Sequence, residues 1–391
     1  MSQLKVNTIR HTGASSDAVT LASDGTCTAK ITNNLSHRNI LINGAMAVNQ
    51  RGDKTGITAD SMGGPDRFRS HIVGLGGWAA SQQTSATDLN TTGFQHSFRL
   101  QNTTADASPG ASNYAILAYR LEGYDTNCFQ WGTANAKQVT LSFWCKANIN
   151  GWSSGTKSFV AELQGGTTTL ESGQLVTLNA NNTWQKVELT YPAQTAQVMV
   201  QENGEALAIN LWLGSGSTFT SGTLSSAWSN KAAADRCPGV NLGLADNTAN
   251  YFQITGVQLE LGSVATDFEH RSYVDELHRC KRYYLQFGAT GMDGDFVISA
   301  SQLASNGDQT RPGLIMNPQL RAAPTMTEFG DGLNIYGSGT VTPVTAISDI
   351  TYNAQSSLLG FNCECSDIGD NYEIVTVTNR PSGGVKIECE L

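Results

Sequence analysis

The stretch 251–284 constrains the fold more than any other part of the chain, because its apolar pattern changes phase once and period once. Phe252 and Ile254 alternate with polar residues as in a half-buried strand; after Gly256 the alternation resumes at Val257 and Leu259, one place out of step. An inserted residue flips every following side chain to the opposite face. The apolar set therefore stays on one face only if the chain bulges at Gly256, where glycine tolerates the kink. Beyond a turn at Gly262 the period lengthens, and Tyr273, Leu277, Cys280 and Tyr284 recur at helical spacing. Ser272 is placed to cap that helix. Asp275 and Glu276 put negative charge in its first turn, and Arg279, Lys281 and Arg282 put positive charge in its last. A short amphipathic helix over 272–284 is thus expected to join two β regions.

The region before it, 38–271, reads as one large β-sandwich. In 139–145, Val139, Leu141, Phe143 and Cys145 share one face while Thr140, Ser142 and Trp144 share the other. Comparable runs occupy 114–121, 158–163, 184–191, 208–213 and 252–259, separated by glycine- and asparagine-rich turns and with no helical segment between them. Strands so spaced imply a sandwich or jelly roll. Residues 285–391 carry shorter strand-like runs at 284–287, 295–299, 314–316, 340–347, 358–365, 372–378 and 385–391, with Asp-Gly and Gly-Gly turn signals between them, and read as a smaller β domain. Residues 1–37 hold too few large apolar side chains to close a core; such a segment is disordered or borrows its core from other copies. No fixed period of self-similarity supports a repeat array. The fold class is therefore all-β: a jelly-roll-like sandwich, a linking helix and a smaller C-terminal β domain behind an extended N-terminal segment.

Charge narrows the partners. Only 15% of the 391 residues are charged, the net charge is −9 and the pI is about 5.1. A duplex-binding protein needs a basic face to neutralise phosphates, so nucleic acid is not expected, whereas a weakly charged surface suits neutral glycans. No apolar window approaches a membrane span and the N-terminus lacks an apolar signal region, so neither membrane insertion nor signal-peptide export is expected. The eight scattered cysteines read as reduced, mostly buried thiols.

Catalytic and metal signals are weak. Gly151-Trp152-Ser153-Ser154-Gly155 matches the spacing of a nucleophile elbow. The elbow needs a helix after it, and the next segment is strand-like, so a hairpin loop explains the run. Glu162, Glu171, Glu188 and Glu260 are carboxylates of the kind a glycosidase pairs across a sugar, but they read as residues of exposed strand faces. The six histidines show no ligand spacing. Cys363 and Cys365, with Cys389 on a neighbouring run, fit a buried face better than zinc, and Asp293, Asp295 and Asp367 lie in turns rather than calcium loops. No cofactor and no metal is expected.

Three runs carry a family resemblance. Thr-Gly-Val-Gln-Leu-Glu-Leu-Gly-Ser-Val-Ala-Thr-Asp-Phe-Glu-His-Arg-Ser-Tyr at 255–273, continued by Glu-Leu-His-Arg-Cys-Lys-Arg-Tyr-Tyr at 276–284, resembles a segment recurrent in bacteriophage tail-fibre and virion-appendage proteins. Ile-Asn-Gly-Ala-Met-Ala-Val-Asn-Gln-Arg-Gly at 42–52 and Arg-Ala-Ala-Pro-Thr-Met-Thr at 321–327 agree with it, and the opening Met-Ser-Gln-Leu-Lys-Val-Asn-Thr-Ile-Arg resembles the start of fibres from marine phages. The resemblance implies a structural, non-enzymatic virion component assembled in the host cytoplasm and built as a homotrimer. It further implies that residues 1–37 attach to another virion protein of the tail or capsid, that the C-terminal domain lies distal, and that the host surface polysaccharide or lipopolysaccharide is the receptor. A decoration fibre that never touches the receptor and a polysaccharide depolymerase are the other readings. The order of strong strands, with a tryptophan opening 184–191, also resembles jelly-roll carbohydrate-binding modules.

Tryptophan supplies the candidate glycan sites, because apolar sugar faces stack on aromatic rings while neighbouring amides and carboxylates satisfy the hydroxyls. Trp144 and Trp212 lie opposite the core faces of their strands, and Trp152 lies in a loop. Packing under a loop or a neighbouring protomer is the alternative for each. The expected binding residues are Trp144, Trp212 and Trp152.

Overall fold

Alternating apolar positions on many short strands are satisfied when two sheets bury their apolar faces against each other, and the chain adopts that solution. The computed structural model describes residues 6–23, 27–29, 37–165, 170–288, 297–302, 308–337, 340–366, 374–379 and 383–391. Strands β1 (Thr8–Ile9), β2 (Val19–Leu21) and β3 (Cys27–Ala29) form a three-stranded antiparallel sheet in which Thr8 opposes Thr20 and Val19 opposes Ala29. Ile9 is 56% exposed and Leu21 40%, and none of residues 6–23 is buried.

The sandwich is built from β4 (Lys54–Ile57), β5 (Ser61–Met62), β6 (Phe68–Val73), β7 (Gly77–Gln83), β8 (Ser97–Thr104), β9 (Tyr114–Glu122) and β10 (Val139–Asn148), followed by β11 (Lys157–Gly165), β12 (Leu170–Leu178), β13 (Gln185–Tyr191), β14 (Glu205–Ser215), β15 (Ser229–Asn230) and β16 (Tyr251–Leu261). Among the described residues one sheet runs β13-β10-β16-β8-β7-β4 and the other β15-β12-β11-β14-β9-β6-β5. The strand pairs within both are antiparallel, and sequence neighbours often fall in different sheets, a jelly-roll-like sandwich. Phe159 of the second sheet reaches across to Phe143 and Phe252 of the first, with ring centroids 6.4 and 5.3 Å apart. Each such ring, fully buried, contributes roughly 1.5–3 kcal/mol.

The phase slip in β16 is a bulge. Ser142 opposes Gln258 and Trp144 opposes Thr255, so β16 carries one residue more than β10 over the same interval, and Gly256 takes φ +61°. Phe252 and Ile254 before it and Val257 and Leu259 after it all face the core. Helices α1 (Ala86–Leu89) and α2 (Gly123–Thr126) are single turns, whereas α3 (Tyr273–Cys280) is the linking helix. Ser272 Oγ caps it by accepting from the Asp275 N–H at 3.1 Å. The helical spacing extended to Tyr284, but the chain leaves the helix after Cys280, and Tyr284 opens the strand Tyr284–Gly288.

The C-terminal region packs its strands around a core of its own that includes Leu333, Ile335, Leu359, Phe361, Val377 and Ile387. Gly384–Glu388 sits between Tyr284–Gly288 and Thr325–Phe329. The single run read at 340–347 is two strands, Thr340–Pro343 and Ala346–Asn353, because they pair with different neighbours. The reading at 295–299 lies partly outside the described residues, which resume in Val297–Gln302; that at 372–378 likewise corresponds to Ile374–Asn379. The turn residues Asp293, Asp295 and Asp367 lie outside them as well. The seven cysteines with described side chains are free, and all but Cys128 are buried. Cys363, Cys365 and Cys389 lie in the C-terminal core, where burial pushes the Cys363 thiol up to about 12.

The runs that carry the family resemblance converge where the sandwich, α3 and the C-terminal region meet. Asn43 receives Val48 N–H, donates to the carbonyls of Val48 and Asp66, and donates its own backbone N–H to Glu276 of α3 at 2.7 Å. The guanidinium of Arg51 lies 3.8 Å above the Tyr284 ring and pairs with Glu388 and Glu390 at 3.1 and 3.3 Å. Arg282 grips Glu122 with two hydrogen bonds of 2.9 and 2.7 Å. Arg321 ties the carbonyls of Cys389 and Glu390 to that of Asn203, at 2.6, 3.0 and 2.9 Å. These motifs build a joint between elements.

Candidate functional site

The bulge that keeps β16 in register with the core also organises its outer face. Before Gly256 the outward residues are Gln253 and Thr255; after it they are Gln258 and Glu260, and each group holds a different loop. Thr255 Oγ1 donates to the His96 carbonyl at 2.6 Å, and Gln253 reaches Ser97 Oγ at 3.1 Å, fixing residues 84–96. Glu260 accepts from the N–H and hydroxyl of Thr266 at 2.8 and 2.6 Å, and Gln258 Oε1 accepts from Glu269 N–H at 2.8 Å, fixing residues 263–270. Two walls therefore stand on one strand, on either side of its bulge.

Between them lies a cleft of about 330 Å³. Its floor is Trp144 and Ser142 of β10 with Gly256, Lys186 of the edge strand β13 stands beside Trp144, and Phe94 and Phe268 come from the two walls. The absence of a side chain at Gly256 is required: a Cβ there would lie 2.5 Å from the Phe94 ring. Phe94, Phe268 and His270 form a three-ring cluster with centroids 4.8, 5.4 and 4.9 Å apart. Trp144 is half-buried, so part of its indole faces the cleft. Lys186 is paired on the rim with Glu188 at 2.8 Å, and Asp267 is exposed at the other wall. The arrangement offers aromatic surface, hydroxyls and compensated charge, with no pair of free carboxylates across it.

The other two tryptophans are elsewhere and do not reach a ligand. Trp212 is fully buried: Phe219 and Cys237, from the residues that follow β14, roof the outer face of its sheet, its indole N–H donates to Glu162 at 3.1 Å, and Arg236 stacks 4.5 Å from its centroid. Trp152 is 8% exposed and packs into the main core, its N–H bonded to the Gly155 carbonyl at 3.1 Å. Gly151 and Gly155, at φ +78° and +71°, turn the loop from β10 into β11, and a strand follows Ser153 instead of the helix an elbow requires.

The carboxylates also differ from their reading as exposed residues. Glu162, Glu171 and Glu260 are 1–4% exposed, and only Glu188 lies open to solvent. Arg236 bridges the first two, 2.6 Å from Glu162 and 3.6 Å from Glu171. Burial alone would raise Glu162, but the hydrogen bonds and charge of Arg236 outweigh it and hold the carboxyl below its ordinary value. Burial, then the neighbouring Glu162, pushes Glu171 up to about 7. Opposed shifts are what a glycosidase pair shows, yet these groups are sealed beneath Arg236 and Ala232 with no room for a sugar between them. No group of three or more metal-ligating side chains occurs among the described residues, and no helix there is long and apolar enough to cross a membrane.

The sequence signal that marked the cleft was Trp144 on the face of its strand away from the core; Phe94, and Phe268 with His270, were not singled out, being residues of two loops far apart in the chain. No known family profile matches this chain, and no curated protein matches it. Solved structures similar to it include the module TmCBM61 in complex with β-1,4-galactotriose, at 10% identity over 57% of this chain and 99% of that one, with a TM-score of 0.27. Others are the family 11 carbohydrate-binding module of Clostridium thermocellum with a β-1,3-1,4-mixed-linked tetrasaccharide (11%, 55% and 98%, 0.26) and the tandem CBM22-1–CBM22-2 domain of Paenibacillus barcinonensis Xyn10C (10%, 93% and 100%, 0.25). Scores of this size carry no inference about ligand or site.

Proposed function

We propose that the protein is a non-catalytic glycan-binding appendage of a bacteriophage virion, which recognises host surface polysaccharide through the cleft over Trp144. The observation that carries the binding half is the half-exposed indole set between Phe94 and Phe268 in a cleft whose lysine is already ion-paired. Sugar rings stack on such a surface, and their hydroxyls meet Ser142, Thr92 and Asp267 around it. The virion half rests on the sequence resemblance and on residues 6–23, none of which is buried within its own protomer although they carry two strands of a sheet. A homotrimer joined through residues 1–37 gives that sheet partners, and repeated weak sites sum to avidity on a cell surface.

The test is to incubate the purified protein with host cells and their extracted polysaccharide, following bound protein and polymer length together. Retention with unchanged polymer is the expected result. Shortened polymer would make the protein a depolymerase, and no retention would leave a purely structural virion component.

A further inference from the structure

The Trp144 cleft has a neighbour. A second cavity of about 430 Å³ opens on the other side of the three-ring cluster, sharing Gly93, Phe94, Phe268 and His270 with the first. Its floor is made of Ala45 and Ala47, whose methyl groups leave space that larger side chains would fill, while Met46 and Val48 between and beyond them point into the protein. At its mouth stands Tyr273, the first residue of α3, with 57% of its surface exposed although it is one of the larger aromatic side chains of the molecule.

The charges that line this second cavity are already engaged. Arg271 donates to the Leu41 carbonyl at 2.9 Å and pairs with Glu276 at 3.1 Å, and Glu276 also accepts from Asn43 N–H. His96 is lowered by burial, so at neutral pH it offers an uncharged imidazole beside the Gln95 amide. Both cavities thus present an aromatic ring with neutral hydrogen-bonding groups. Each is near the lower limit of ligand-sized pockets, and only a ligand lying over Phe94 and His270 fills both.

We infer that the two clefts are successive subsites for one uncharged oligosaccharide that crosses the Phe94–Phe268–His270 ridge, with Trp144 stacking one sugar and Tyr273 another. This inference rests on the proposed glycan reading of the Trp144 cleft. Asp267 on the rim disfavours an acidic unit, and the paired Lys186 and Arg271 give it no counter-charge.

The experiment is titration calorimetry of the full chain with neutral gluco-, galacto- and xylo-oligosaccharides of one to six units and with oligogalacturonates of the same lengths. The wild type is compared with Trp144→Ala and Tyr273→Ala. The expected result is a tenfold or greater gain in affinity between the shortest neutral ligand that binds and the length that spans both clefts. Tyr273→Ala, an exposed residue whose loss leaves the fold intact, should remove at least fivefold of that gain and change the shortest ligand's affinity by less than twofold. If Tyr273→Ala leaves the long ligand unaffected while Trp144→Ala abolishes binding, the second subsite is wrong and the Trp144 cleft stands. Tighter binding of oligogalacturonates than of their neutral counterparts overturns the uncharged ligand. If the wild type binds no sugar of either kind, the glycan reading and this inference fall together.

Discussion

The ring of Phe94 rests on the backbone of Gly256, so close that a single methyl group at the glycine would meet it at 2.5 Å. Because Gly256 also sits at φ +61°, where an L side chain is strained, Gly256→Ala combines a backbone and a packing penalty. It should lower stability by about 1–3 kcal/mol in urea unfolding. It should also weaken glycan retention by displacing a wall of the cleft, an effect that distant core substitutions of equal destabilisation do not produce.

Two of the candidate tryptophans separate binding from packing. Trp144→Ala should reduce retention on host polysaccharide more than tenfold while changing stability by less than about 1 kcal/mol, since its ring is half-exposed. Trp212→Ala should lower stability by about 3–5 kcal/mol, because it empties a buried site and strips a donor from Glu162. Unfolding curves beside a pull-down on immobilised polysaccharide distinguish the two.

At the joint, partners of arginines differ in worth. Glu390→Ala leaves Arg67, whose side chain is 2% exposed, without its carboxylate, and should lower stability by about 3–5 kcal/mol. Glu388→Ala removes a partner that is itself 38% exposed and should change stability by about 1 kcal/mol or less. Chemical unfolding of both variants at one salt concentration checks the contrast.

Stability should fall as pH rises toward neutrality. A carboxyl whose folded value is raised, as Glu171 is from 4.5 to about 7, favours the folded state while protonated; its contribution is full below about 4.5 and is lost as pH rises through about 7. Asp125, raised to about 6 by burial first and Glu122 second, acts in the same sense, whereas His71 and His96, lowered by burial, gain stability as pH rises through the ordinary histidine range and offset part of the fall. The urea midpoint of the wild type should therefore be lower at pH 8 than at pH 5.5. Glu171→Gln should shrink that difference without removing the part owed to Asp125, and an unchanged slope would exclude Glu171 as its source.

Removing residues 1–37 should convert a trimer into a monomer without changing the unfolding of the sandwich. The reason is that none of residues 6–23 is buried against the rest of the chain. Light scattering of both forms gives the masses, and a monomeric full chain would end the trimer proposal.

Much of the architecture was legible because burial on one face leaves a periodic trace. Val139 to Cys145 alternate cleanly, the slip at Gly256 disclosed a bulge, and Ser272 disclosed a helix cap. The strands β7 and β8 left little trace, since Ala79, Ser81, Arg99 and Gln101 surround few large apolar residues, and β12 hides a buried Glu171 and a glycine packed against Leu224. Trp212 shows a different limit. Alternation tells which side of a sheet is not the shared core, and whether another segment covers that side is decided by chain packing far away, here by Phe219 and Cys237. The cleft was legible only in its floor, because Phe94 and Phe268 approach each other through loops whose positions are set by side-chain hydrogen bonds from Thr255, Gln258 and Glu260.

Arg67 and Glu390 are 323 residues apart in the chain. At ribosomal rates of about 5–20 residues per second that separation corresponds to roughly 15–65 s of synthesis. The sandwich can close its apolar core once β16 has emerged, whereas the arginines around Tyr119, Tyr283 and Tyr284 wait for the strand Gly384–Glu388 and the residues after it. That strand therefore brings two things at once, Val385 and Ile387 for the C-terminal core and, with the residues after it, the carboxylates of Glu388 and Glu390 for Arg51 and Arg67. A chain interrupted before that strand leaves Arg51 and Arg67 without those carboxylates.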